Sequence, residues 1–172
     1  MQPLPPIQPD DHVRGDAGAP VTIVEYGDYD CPHTRAAQAS IDELLARGDV
    51  RFVFRYFPLR DLHVNAEILA RVAEAAQRQD LFWPMHDHLM HHRRAVERDD
   101  ILADAAAIGL DLRRVHPLLD DAGIAGRIER DVQGGRAAGV HSTPSFFFNG
   151  VLHDGHYDVE TLAEQLRRAR QR

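Results

Sequence analysis

Val21-Thr22-Ile23-Val24-Glu25-Tyr26 runs through Gly27-Asp28-Tyr29-Asp30 into Cys31-Pro32-His33-Thr34, and this one stretch holds both a strand and the start of a helix. β-branched and aromatic residues dominate its first six positions, as in a buried strand. Proline favours the first helical position, so Pro32 there leaves Cys31 as the N-cap residue. Behind it Ala37, Ile41, Leu44 and Leu45 recur at helical spacing, with Gly48 as a C-terminal stop. Val50-Arg51-Phe52-Val53-Phe54-Arg55-Tyr56-Phe57 reads as a second strand, ended by Pro58. A crossover of this length suits a parallel pair.

From Asn65 to about Ala138 the apolar residues keep helical spacing, and turn signals near Asp80, Asp99-Asp100, Gly109 and Asp120-Asp121 cut the stretch into about five helices. Gly134-Gly135 should weaken or fray the last of these, at about 1 kcal/mol per residue relative to Ala. Strand signal returns in Ser145-Phe146-Phe147-Phe148, and Asn149-Gly150 turns the chain into Val151-Leu152-His153, a hairpin. Asp158 caps a final helix carrying Leu162 and Leu166, whose last turn is rich in Arg as the helix dipole favours.

The composition fits one domain, or one domain with an insertion: 172 residues, 44% hydrophobic and 27% charged, enough to form a core without disulfides. Twenty basic against 27 acidic residues give a net charge of -7, which argues against nucleic acid and anionic membranes as partners. Every basic residue is Arg, so lysine Schiff-base chemistry and a phosphate-loop lysine are excluded. Met1 to Pro9 is proline-rich, with no basic segment followed by an apolar run, and no stretch approaches 18 apolar residues. A soluble, cytoplasmic protein with a disordered lead-in is expected.

Cys31 is the only cysteine, so no internal disulfide can form, and the thiol is either buried filler or reactive. Its position at a helix start favours the thiolate, with His33 and the Thr34 hydroxyl as further stabilisers and Asp28 and Asp30 as opponents.

Four segments together carry a family resemblance: Val24 to His33, Phe54-Arg55-Tyr56-Phe57-Pro58-Leu59, Phe82-Trp83-Pro84-Met85-His86-Asp87, and Gly139 to Gly150 with its core Thr143-Pro144-Ser145-Phe146. The chain resembles the DsbA-like family of thioredoxin-fold thiol-disulfide oxidoreductases from about His12 to Leu166. The resemblance implies an α/β thioredoxin-like fold from residues 12–60 and 128–172, a helical insertion at 61–127 and a lead-in at 1–11. It makes Cys31 the nucleophile and Pro144 the proline that follows a cis peptide bond opposite it. Pro32, Thr143 and Pro144 would then bind an extended peptide substrate by strand addition. Glu25 matches the family's buried acid beneath the active site. His141, two residues before Thr143, is a candidate to reach the thiol; an inconsequential loop histidine is the alternative.

The family motif is Cys-X-X-Cys, whereas Thr34 stands here at the second cysteine's place. Without a resolving thiol the expected chemistry is monothiol: a mixed disulfide on Cys31 released by an external thiol such as glutathione. Two other readings stay open, a redox-inactive module that binds peptides or a partner protein, and a glutathione-dependent transferase or isomerase. His88 and His92, four apart with His86 and His91 nearby, permit a metal site, but a solvated polar face is the stronger reading and no metal is expected.

Overall fold

The structure is a computed structural model that describes residues 2–91 and 97–171. Five strands form one sheet in the order β1-β3-β2-β4-β5. They are β1 (His12–Gly15), β2 (Val21–Gly27), β3 (Val50–Tyr56), β4 (Ser145–Phe148) and β5 (Val151–Leu152). β2 and β3 pair in parallel through the crossover helix α1 (Pro32–Ala46), and the other pairings are antiparallel. The strand at His12–Gly15 was not expected, since Val13 is its one large apolar residue; it is made by pairing to β3, with His12 opposite Phe54 and Gly15 opposite Arg51.

Between β3 and β4 lie α2 (Ala66–Gln77), α3 (Phe82–His91), α4 (Arg98–Ala107), α5 (Leu112–Leu118) and α6 (Ala122–Ala137), and α7 (Val159–Arg170) closes the chain. Alternate residues of a strand face opposite sides, and β2 sorts them accordingly. Val21 and Ile23 enter the larger core with Ile41, Leu44, Leu69, Met85 and Leu162, while Val24 and Tyr26 enter a smaller one with Val53, Phe57, Val132 and Phe147. α6 belongs to both cores, through Ile124 and Ile128 on one side and Val132 on the other. The boundary expected at residues 127 and 128 falls inside this helix.

α6 also runs unbroken through Gly134 and Gly135, where fraying was expected. A Cβ on Gly135 would stand 2.9 Å from ring carbons of Tyr26 and 3.1 Å from Phe57, and one on Gly134 would stand 3.0 Å from Pro5. The bare positions let the helix lie close to the sheet, and this packing offsets their poor helix propensity.

The lead-in, expected to be disordered, has partners along this same face. Gln2 donates its N–H to the Ala137 carbonyl at 2.8 Å, Leu4 and Ile7 pack on the smaller core, and the Pro5 and Pro6 carbonyls accept from Arg55 at 3.0 and 2.9 Å. Prolines that cannot donate to a ladder thus supply acceptors for a buried guanidinium.

Candidate functional site

β2 ends at Gly27, and the next four residues turn the chain into α1 under local control. The Cys31 N–H donates to the Asp28 carbonyl at 3.0 Å, Cys31 takes the extended N-cap conformation, and Pro32 opens the helix. The thiol is 3% exposed and donates to the Thr143 carbonyl at 3.3 Å. The Thr143–Pro144 peptide bond is cis, and β4 begins immediately after it. Sequence positions 112 residues apart thereby meet at the sulfur.

Thr34 is fully buried one turn into α1, and its Oγ1 accepts the Asp28 N–H at 3.4 Å. The hydroxyl expected at the sulfur therefore holds the preceding turn. His33 is likewise engaged elsewhere: its Nδ1 is hydrogen-bonded to the Tyr157 hydroxyl at 2.7 Å. His141 is exposed and has no hydrogen-bond partner among the described residues. Pro32 is exposed at the helix start, and Thr143 is buried beside the thiol.

Glu25 shares the strand parity of Ile23 and so faces the α1 side. It is 1% exposed, and neither carboxylate oxygen has a hydrogen-bond partner among the described residues. Burial, with the Asp42 carboxylate adding to it, pushes its pKa up to about 8, so the group is a neutral acid at pH 7.

The two aspartates expected to oppose the thiolate have other work. Asp28 is buried; one carboxylate oxygen accepts the Asp30 N–H at 2.8 Å, and the other accepts the Leu59 N–H at 2.9 Å and His63 Nδ1–H at 2.7 Å. Asp30 accepts the Asn65 N–H at 2.9 Å. The loop between β3 and α2 is thus tied to both residues that precede the thiol, and it presents Leu62 and Val64 at 74% and 87% exposure. Sequence reasoning passed over His63 and Tyr157, because a histidine 35 residues from Asp28 and a tyrosine 124 from His33 leave no spacing signal.

The histidines weighed as metal ligands part company. His86 is fully buried against Phe54, with Tyr29 bonded to its Nδ1 at 3.0 Å, and burial holds its pKa well below the usual histidine range. His88 pairs with Asp104 at 3.1 Å and His91 with Asp42 at 2.9 Å, while His92 lies outside the described residues. Among the described residues no group of three or more potential ligands is placed to hold a metal ion. A cleft of about 860 Å³ runs along α6 and α2 past Arg127, Glu74 and Trp83 and touches none of the thiol's neighbours.

A model of the thioredoxin family Thioredoxin_4 matches residues 8–168. The chain belongs to this family. Among solved structures, a thioredoxin-like oxidoreductase from Silicibacter pomeroyi DSS-3 is 29% identical, with a TM-score of 0.87 over 96% of this chain and 95% of that one. The thiol-disulfide exchange protein alpha-DsbA2 from Wolbachia pipientis, at 23% identity and a TM-score of 0.79 over 91% and 85% of the two chains, shares the fold. The Thioredoxin_4 architecture is therefore the thioredoxin-like α/β sheet with a helical insertion between β3 and β4, as the resemblance implied.

Curated relatives add a different context. The Na(+)/H(+) antiporter NhaA 1 of Salinispora arenicola is 44% identical over 160 residues, 92% of this chain and 24% of that protein. The NhaA antiporter of Herminiimonas arsenicoxydans is 38% identical over 169 residues, 96% of this chain and 27% of that protein. The chain spans about a quarter of the length of these relatives, and among its described residues no helix is long and apolar enough to cross a membrane.

Proposed function

We propose that this member of the thioredoxin family is a monothiol thiol-disulfide oxidoreductase that uses Cys31 to form mixed disulfides with protein substrates and glutathione to release them. The observation that carries the reading is the placement of a single thiol at the N-cap of α1, in contact with the carbonyl of a cis Thr143–Pro144 bond, while a buried Thr34 fills the position one turn on. A thiol there can attack a disulfide, and with no second cysteine in the chain only an external thiol can finish the cycle. Pro32, Thr143 and Pro144 border the place where an extended substrate would lie. The compartment proposed is the cytoplasm, where a glutathione pool is at hand and which cell fractionation checks.

Intact-mass measurement after incubation with glutathione disulfide tests the reading. One glutathione should be gained on Cys31, lost again in excess reduced glutathione, and absent from Cys31→Ser. A protein that stays unmodified would favour the second reading, a partner-binding domain. That alternative has support of its own, since antiporter relatives carry the matching sequence as a quarter of a longer chain.

A further inference from the structure

The cleft along α6 and α2 is separate from the thiol, and its volume of about 860 Å³ has room for a long side chain with peptide on either side of it. Phe82, Trp83 and Pro84, in the first turn of α3, give it an apolar wall, and Gly123 and Gly126 leave its α6 wall bare. A Cβ on Gly126 would meet nothing within 4 Å, so no part of the chain fills the space above that helix. Glu74 of α2 also lines the cleft, although it is only 7% exposed. Its Oε2 is bonded to His12 Nε2 at 2.7 Å and accepts the Tyr56 hydroxyl at 3.0 Å, whereas its Oε1 has no hydrogen-bond partner among the described residues. The arginines along the cleft are engaged with other carboxylates: Arg130 with Asp10 at 2.7 Å, and Arg127 with Asp11 and Asp131. Asp11 in turn has both oxygens taken by Arg55 and Arg127. Glu74 is thus the buried carboxylate of the cleft that keeps an oxygen to offer, and a carboxylate oxygen in such a place calls for a cationic donor.

We propose that this cleft is a binding site for a guanidinium or ammonium group carried on an apolar stem, with Glu74 Oε1 as its anchor. The cation donates to that oxygen, a charge-assisted bond strengthened by the low exposure of the carboxylate. The stem lies against Phe82 and Trp83, as the methylenes of arginine and lysine do on apolar surface. If the group belongs to a protein segment, the bare surface at Gly123 and Gly126 lets the backbone on either side of it come close to α6. A ligand anion is disfavoured, since Asp10, Asp11, Glu74 and Asp80 line the cleft against Arg78, Arg127 and Arg130. The site stands independently of the exchange chemistry at Cys31.

Titration calorimetry on the full chain tests this with two probes, agmatine and a tripeptide blocked at both ends with a central arginine. At least one should bind, and the tripeptide with citrulline in place of arginine should bind about 10- to 100-fold more weakly, the worth of a hydrogen bond to a charged group. Agmatine as tight as the tripeptide points to a free amine as the ligand, and a tighter tripeptide to a segment of a partner protein. Glu74→Gln keeps the size of the side chain and an acceptor for Tyr56 but loses the charge, and should weaken binding by the same factor. Gly126→Leu fills the space above α6 from a position with no neighbour to displace, so it should abolish binding of the tripeptide while the thermal midpoint stays at or above the wild-type value. That variant carries the test if Glu74→Gln unfolds. No binding of either probe at millimolar concentration, equal binding of the citrulline peptide, or wild-type binding by Gly126→Leu overturns the proposal.

Discussion

Arg55 and Glu25, on opposite faces of the sheet, are buried in opposite ways. On the α6 face, Arg55 is 2% exposed and engages both oxygens of Asp11, the Tyr26 hydroxyl and the Pro5 and Pro6 carbonyls, while Arg127 pairs with Asp11 and Asp131. Burial alone would lower the Arg55 pKa, but the bonds from Asp11 and Tyr26 outweigh it and hold it above the ordinary arginine value. On the α1 face, Glu25 is as deeply buried and has no hydrogen-bond partner among the described residues, so it stays protonated where a surface carboxylate would ionise. Removing one partner of a buried pair strands the other charge, whereas a lone buried acid opposes the fold as the pH rises. The strand that leads into the thiol thus carries an unpaired acid, while on the same face His12 and Glu74 are buried as a pair at 2.7 Å.

Breaking the paired side should have the largest effect. Arg55→Met removes the partner of a fully enclosed carboxylate and strips two lead-in carbonyls of their donor, and it should cost about 3–5 kcal/mol by chemical denaturation. A loss below about 1 kcal/mol would mean that Arg127 alone satisfies Asp11.

Relieving the unpaired side should come next. Glu25 has a pKa raised in the folded state from 4.5 to about 8, so its contribution to stability is full below pH 4.5 and is lost as the pH rises towards 8. Through pH 7 that loss is about 3 kcal/mol at roughly 1.4 kcal/mol per pH unit. Glu25→Gln should therefore flatten the stability curve between pH 5 and 8, and an unchanged slope would show that the acid ionises in the fold at no cost.

The smallest effect should come from the contact that brings α6 to the sheet. Gly135→Ala forces a Cβ against Tyr26 and Phe57, and after the gain in helix propensity a net loss of about 1 kcal/mol is expected. Gly126→Ala, where a Cβ meets nothing within 4 Å, should instead gain up to about 1 kcal/mol. Equal effects at the two sites would remove close packing as the reason for Gly135.

The contrast between the faces also marks what could be read from the residues alone. β2, β3 and α1 announce themselves because their apolar spacing is dictated by burial along contiguous segments, and the Cys31-Pro32 helix start is a local signal. β1 does not, because pairing to β3 makes it a strand. The proline-rich start looks disordered in composition; the Arg55 guanidinium that collects its carbonyls lies about 50 residues away. At the site, Cys31 and the Thr143–Pro144 loop were found through motif resemblance, while the partners of Asp28, Thr34 and His33 depend on where side chains finally turn. Charge counting set Asp28 against the thiol, and only the fold shows its carboxylate occupied by Leu59, Asp30 and His63.

α6 has a consequence for how the molecule comes apart. Ile124 and Ile128 are anchored among the inserted helices, and Val132 and Gly135 are pressed against the far side of the sheet. Neither region can open without pulling a rigid rod out of the other. The insertion and the sheet are therefore one cooperative unit, and amide protons deep in α2 and in β2 should exchange through the same global opening, leaving no low-energy state in which the helices have melted while the thiol's platform stands.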